Sequence, residues 1–339
     1  MSRMPVTLVT GAGGEIGHTL VPRLAKQGQA VVALDLNPLP PDTASHCHAQ
    51  LVGDITDEAI WKGISDRYDV VAIYHLAALL STTSEKHPAL AHRVNVGGTL
   101  NVLTFAQSQA TARGERVRVL FPSTIAIYGL PDATTKATFA RIKEHQWLQP
   151  TTMYGCNKLY CEHLGKYMTR HAAAKGVDFR CVRLPGLISA ETLPSGGTSD
   201  FGPEMLHAAA QGKPYECFVR EDTRIPFMVM PDAVDSILRL MATDASKLTL
   251  TAYNIGAFNP SAGEFADLVR SAFPGAMITF KPNPMRQAIC DGWPADVDDA
   301  PARADFGHAP AYDLPRAFND YLVPAVRSRY GLSSASVTR

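Results

Sequence analysis

Tyr154 and Lys158 stand four residues apart in Tyr154-Gly-Cys-Asn-Lys158, on one face of any helix that carries them. A tyrosine ordinarily keeps its proton to about pH 10. A neighbouring ammonium and a positively charged cofactor both favour the phenolate, which equips the pair for general-base work near neutrality. Chance produces this spacing often, so it carries weight only beside other signals. Phe121-Pro122-Ser123-Thr124 supplies one, a strand ending in two hydroxyls where a substrate oxygen can be hydrogen bonded. Hydroxyls at strand ends also cap local backbone, which is their commoner use. Upstream, Gly11, Gly14 and Gly17 form GxxGxxG, one residue wider in its first gap than the usual dinucleotide fingerprint. The glycines permit a tight turn, and the helix that begins with Glu15 and Ile16 points its N-terminus at a pyrophosphate. Asp35 follows about 20 residues after the loop, where a carboxylate accepts both ribose hydroxyls of NAD. It would repel a 2′-phosphate, and no cation follows before Lys62, so the cofactor is expected to be NAD rather than NADP. Asp54 and Ile55, in GDITD, are placed at the adenine.

These residues need a scaffold, and the chain alternates strand-like and helix-like stretches. Val6–Thr10, Ala30–Leu34, Leu51–Gly53, Val70–Leu76, Val117–Phe121 and Val177–Arg183 read as buried strands. Helical stretches run from Glu15 to Gln27, Asn95 to Ser108 and Thr152 to Lys175. Apolar runs of this kind, separated by helices, give a parallel sheet covered on both faces. The expected fold class is α/β, a doubly wound parallel sheet of Rossmann type. It spans residues 1–184, followed over 185–339 by a smaller, mixed substrate-binding region. There Pro203–Gln211, Pro231–Met241 and Ser261–Phe273 read as helices and Ala252–Gly256 as an isolated strand, its return to the main sheet left open. The C-terminal region should pack over the carboxyl ends of the sheet.

Bulk composition narrows the partners. The 339 residues hold 32 Lys+Arg against 32 Asp+Glu, which gives no general attraction for nucleic acid or an anionic membrane. The longest apolar run, Val70 to Leu80, is broken by His75 and is about half the length a membrane helix needs. Six cysteines (47, 156, 161, 181, 217 and 290) form no CxxC, consistent with free thiols in the cytoplasm. His46-Cys47-His48 has no second cluster at ligand spacing, so no metal is expected.

The order and intervals of GxxGxxG, Asp35, Asp54, Leu76-Ala77-Ala78, Asn95, Ser123-Thr124 and Tyr154…Lys158 resemble the extended short-chain dehydrogenase/reductase family. Within it, several segments are similar to the branch that oxidises L-threonine. They are His75–Ser81, Arg183–Ser189 (RLPGLIS), Gly196–Asp200, Tyr215–Phe218, Glu221–Thr223 and Trp293-Pro294 with Asp298-Asp299. The stretch Thr134–Gln149 departs from the pattern and looks expanded.

That resemblance implies a triad of Thr124, Tyr154 and Lys158, with Asn95 in support or in a proton relay. It puts Gly11, Gly14, Glu15, Ile16, Gly17, Asp35, Asp54, Ile55, Leu76, Ala77, Ala78, Asn95, Tyr154, Lys158, Leu184 and Leu187 on NAD. It puts Ser81, Thr124, Tyr154, the backbone around Gly186, Thr198 and Trp293 around the substrate, L-threonine; the glycine-rich run Ser195–Thr198 suggests a lid segment over it. It also implies a homodimer. A nucleotide-sugar epimerase or dehydratase shares the fold and triad, and Arg224 would then serve a phosphate. A non-catalytic NAD sensor has no need of the Tyr–Lys pair.

Overall fold

The computed structural model describes residues 3–171, 176–194 and 196–332. Eleven strands occur among them: β1 Met4–Thr10, β2 Val31–Asp35, β3 Ala49–Val52, β4 Tyr68–His75, β5 Val117–Thr124, β6 Val177–Leu184, β7 Gly186–Ile188, β8 Tyr215–Cys217, β9 Phe227–Val229, β10 Ala252–Asn254 and β11 Ile278–Phe280. Seven form one sheet in the order β10-β6-β5-β4-β1-β2-β3, and every recorded pairing in it is parallel. The sequence explains why. Val6, Leu8, Val9, Val31, Val32, Ala33 and Leu34 are all buried, so these strands are covered on both faces rather than alternating apolar and polar.

Strand order reverses at β1, with β2 on one side and β4 on the other. That switch point opens a crevice at the carboxyl ends of the strands. Helix Glu15–Lys26 leaves the glycine loop there and buries Leu20, Val21 and Leu24. Two other pairs, β7 with β9 and β8 with β11, make small parallel sheets in the second half of the chain.

One open point closes and one expectation needs correction. Ala252–Asn254 does return to the main sheet, pairing with Cys181–Arg183 at its edge. The helix expected to open at Asn95 is a π-helical stretch over His92–Gly98 that runs into an α-helix over Thr99–Arg113. The helix bearing Tyr154 is Met153–His171, and its expected end at Lys175 lies outside the described residues. His75, which breaks the longest apolar run, is buried between hydroxyls: Nδ1 is 2.8 Å from Thr10 Oγ1 and Nε2 is 3.0 Å from Thr99 Oγ1. Burial, with Lys158 nearby, lowers its pKa to about 3, so the ring is neutral. No helix among the described residues is long and apolar enough to cross a membrane.

Candidate active site

The glycine loop joins β1 to its helix, and Gly14 caps that helix without a side chain, leaving the first backbone N–H groups open. Gly11 has φ +68°, and a Cβ there would fall 2.5 Å from the Ala77 nitrogen; at Gly17 it would fall 2.3 Å from the Ala12 carbonyl oxygen. Backbone thus approaches backbone at both positions as a pyrophosphate cradle requires. Asp35 ends β2, and its carboxylate accepts from Gly13 N at 2.9 Å and Asn37 N at 3.3 Å. Asp54 accepts from Thr56 N at 2.8 Å.

Two cavities meet over this loop. One of about 330 Å³ is lined by Asp35, Asp54, Ile55 and Ala77, with Gly13 and Leu79. The other, about 270 Å³, is lined by Glu15, Ile16, Gly17, Ser81, Thr124, Tyr154, Lys158, Leu184, Leu187, Thr198 and Trp293. Gly11, Gly14, Leu76 and Ala78 line both. Together they make a bipartite cleft with a carboxylate at one end and a phenol at the other, joined across a helix N-terminus. These residues fit a dinucleotide.

Asn95 and Gly186 do not line either cavity. Asn95 is buried, its Oδ1 accepting from Leu79 N at 2.8 Å and its Nδ2 donating to Leu79 O at 3.0 Å. It therefore shapes the loop after β4 rather than a ligand contact. Gly186 sits in β7 and spends its N–H on Pro226 O at 3.0 Å; the neighbouring Pro185 and Leu187 face the cavity instead. Ser195 lies outside the described residues, whereas Gly197 and Thr198 line the cavity. Asp200, which faces the like-charged Glu15, and Leu80 also stand at the cavity wall, with no spacing in the sequence to mark them. Ser123, the other hydroxyl at the end of β5, also lines the cavity, its Oγ buried without a partner.

Lys158 Nζ donates to Pro122 O at 2.6 Å and lies 5.6 Å from the Tyr154 ring centre. Burial lowers its pKa to about 8, which still leaves it mostly charged at neutrality. Burial also pushes the Tyr154 phenol above its ordinary value. Burial therefore disfavours the expected phenolate at this position. Thr124 Oγ1 accepts from Ala126 N at 3.1 Å, which leaves its O–H to donate elsewhere. Glu15 is raised to about 7, first by burial and then by repulsion from Asp200. Arg224 pairs with Glu264 and donates to Asn259 O, and lines neither cavity. Among the described residues no group of three His, Cys, Asp or Glu is arranged to hold a metal ion.

A Rossmann sheet, a dinucleotide-shaped cleft at its switch point and a Tyr–Lys pair at one end define an NAD-dependent oxidoreductase. The sequence profile of the NAD dependent epimerase/dehydratase family matches residues 7–256. The chain belongs to that family, the extended short-chain dehydrogenases. It is 35% identical to an uncharacterised epimerase/dehydratase of Staphylococcus haemolyticus, over 91% of this chain and 93% of that one. It is 33% identical to the mitochondrial L-threonine 3-dehydrogenase of Bos taurus, over 91% of this chain and 79% of that one. A solved structure of L-threonine dehydrogenase from Clostridium difficile superposes with a TM-score of 0.85 at 32% identity, covering 97% of this chain and 99% of the other.

Proposed function

We propose that the protein oxidises the 3-hydroxyl of L-threonine with NAD+, giving L-2-amino-3-oxobutanoate. The observation that carries this reading is the roughly 270 Å³ cavity in which Tyr154 and Thr124 meet Ser81, Thr198 and Trp293. Its lining sets the Tyr154 phenol and the Thr124 hydroxyl among short hydroxyl side chains and one indole, which suits a small amino acid beside a nicotinamide. The placement of Arg224, away from both cavities and paired with Glu264, likewise speaks against the nucleotide-sugar alternative.

Gly11, Gly14 and the first turn at Glu15 to Gly17 would hold the pyrophosphate, with Asp35 on the adenosine ribose and Asp54 and Ile55 at the adenine. NAD+, when bound, supplies the hydride acceptor and a positive charge beside Tyr154. Tyr154 takes the proton from the substrate hydroxyl, its phenolate favoured by Lys158 and by that charge against the cost of burial. Thr124 donates its free O–H to the same oxygen, a bond that strengthens as alkoxide character develops. Hydroxyls of Ser81 and Thr198 hold the polar groups of the amino acid, and Trp293 walls it in. The indole N–H of Trp293 is buried without a partner, an unspent donor in that wall.

The test is NADH formation with L-threonine, followed by its near-ultraviolet absorbance, in the parent protein and in Tyr154→Phe. Loss of a general base should lower kcat by about a thousandfold while NAD affinity stays within about twofold. No NADH from L-threonine, together with turnover of a nucleotide sugar, defeats the proposal.

A further inference from the structure

The stretch in which the resemblance fails, and the turn just before it, are tied at several points to residues 290–298, besides bonds that Glu144 and Ile142 accept from Arg183 and Asn254. Lys136, in the short helix Ala133–Thr138, donates from Nζ to the Cys290 carbonyl at 2.8 Å. Leu130 N donates to Gly292 O at 2.8 Å. Ile142 N donates to Asp296 O at 3.1 Å, Asp298 N returns a bond to Ile142 O at 2.9 Å, and Arg141 Nε reaches Asp296 Oδ2 at 3.0 Å. Trp293 lies between these anchors. It is the C-cap of helix Pro284–Gly292, it lines the smaller cavity, and it is 4% exposed.

The last carbonyls of a helix have no partner within the helix, and a cation placed on them also complements the helix dipole. Cys290 O accepts from Trp293 N at 3.2 Å, and Lys136 adds a second, charged donor to the same carbonyl from 154 residues away in sequence. We propose that Lys136 is a positioning residue for substrate selection: by clamping the C-terminal end of helix Pro284–Gly292 it fixes Trp293 against the amino acid. The proposal rests on the reading of Trp293 as the substrate wall.

The clamp has few competitors. The titratable groups facing Lys136 are Asp291 and the Cys290 thiol on the clamped helix, the thiol kept neutral by burial, and Arg220 and Asp222 on the loop after β8. Asp291 is committed to Arg220, at 2.9 and 3.0 Å, and Asp132 on the Lys136 side caps its own helix at Thr135 N. The ammonium is thus left to the carbonyl. Burial brings its pKa down to about 8, within the working range of a dehydrogenase assay.

Lys136→Met is expected to raise the KM for L-threonine about fivefold, with kcat and the KM for NAD within about twofold, because neither the proton-transfer groups nor the cofactor cleft is touched. Lys136→Arg should restore most of the loss. The parent KM for L-threonine should rise as pH passes about 8, more steeply than in Lys136→Arg, which holds its charge there. An unchanged KM in Lys136→Met, or an equal fall in kcat, overturns the proposal. A second readout needs no turnover. Acrylamide quenching of Trp293, taken as the difference from Trp293→Phe, should increase in Lys136→Met and return in Lys136→Arg. Unchanged quenching removes the positioning role. Increased quenching in a protein that fails to oxidise L-threonine upholds the clamp and defeats the substrate reading instead.

Discussion

The two ends of the cleft are built by different means. At the cofactor end the work is done by backbone: a loop whose glycines admit Ala77 and Ala12 at contact distance, and strand ends that present Asp35 and Asp54. At the substrate end, long-range side chains hold other segments by their carbonyls. Thr82 Oγ1 donates to Gly196 O at 2.8 Å, Arg286 Nη2 to Gly197 O at 2.6 Å and Lys136 Nζ to Cys290 O at 2.8 Å. A site made of backbone tolerates little substitution within it, whereas one tied by side chains can be retuned one tie at a time. That difference would let a common cofactor frame serve different substrates, and it sets the scale of effect expected from changes at each end.

The largest effect should come from Gly11→Ala. Its φ of +68° is unfavourable for a side chain, and the added Cβ would stand 2.5 Å from the Ala77 nitrogen. Left-handed strain and overpacking together cost about 2–5 kcal/mol, so NAD affinity should fall by about two orders of magnitude. NADH fluorescence titration measures this. An affinity within about twofold of the parent would show that the cradle yields as readily as the side-chain ties do, and the contrast would collapse.

Asp35→Asn should act at the same end with a smaller effect. The amide keeps one oxygen for Gly13 N but loses the charge that makes hydrogen bonds to ribose hydroxyls strong. A loss of about tenfold in NAD affinity is expected, with no useful gain for NADP because no Lys or Arg among the described residues lines that cavity to receive a 2′-phosphate. Parallel titrations with the two cofactors check both parts. Tight NADP binding by the variant would mean that a cation not evident at β2 reaches the site.

The same contrast decides what could be read in the sequence. The glycine loop, Asp35 and the Tyr154–Lys158 pair are local patterns, a few residues whose spacing already carries the chemistry. Five of the six strands read from apolar runs are largely buried and were legible for the same reason, since a strand covered on both faces is an apolar run; β3, expected to be buried, is an edge strand with no fully buried residue. β7, β8, β9 and β11 are three residues each and leave no periodicity to find. The partner of Ala252–Asn254 was hidden because its pairing with β6 spans about seventy residues of chain. Nothing in RLPGLIS tells that the Gly186 N–H is taken by Pro226 O while Pro185 and Leu187 on either side face the cavity. Lys136 was invisible: its carbonyl partner has no side-chain signature and lies 154 residues away.

The smallest effect, and the one that tests where the two ends meet, belongs to Glu15. It comes from the cofactor loop, whereas Asp200, which repels it, comes from the substrate region, and both line the smaller cavity. Burial first and Asp200 second raise the Glu15 pKa from 4.5 to about 7. An ionised carboxylate opposes a pyrophosphate at the helix N-terminus, so the protonated form should bind NAD better. Binding then takes up a proton, and NAD affinity should fall as pH rises through about 7, by about threefold to tenfold overall. Glu15→Gln removes the titrating group and should hold the tighter affinity across that range. Asp200→Asn should move the inflection to lower pH, because the carboxyl then faces burial without the second repulsion. A shifted inflection in Asp200→Asn would mean that the substrate region tunes the cofactor end through charge. An inflection unmoved by Asp200→Asn but abolished by Glu15→Gln would assign the effect to burial alone and leave the two ends electrostatically independent.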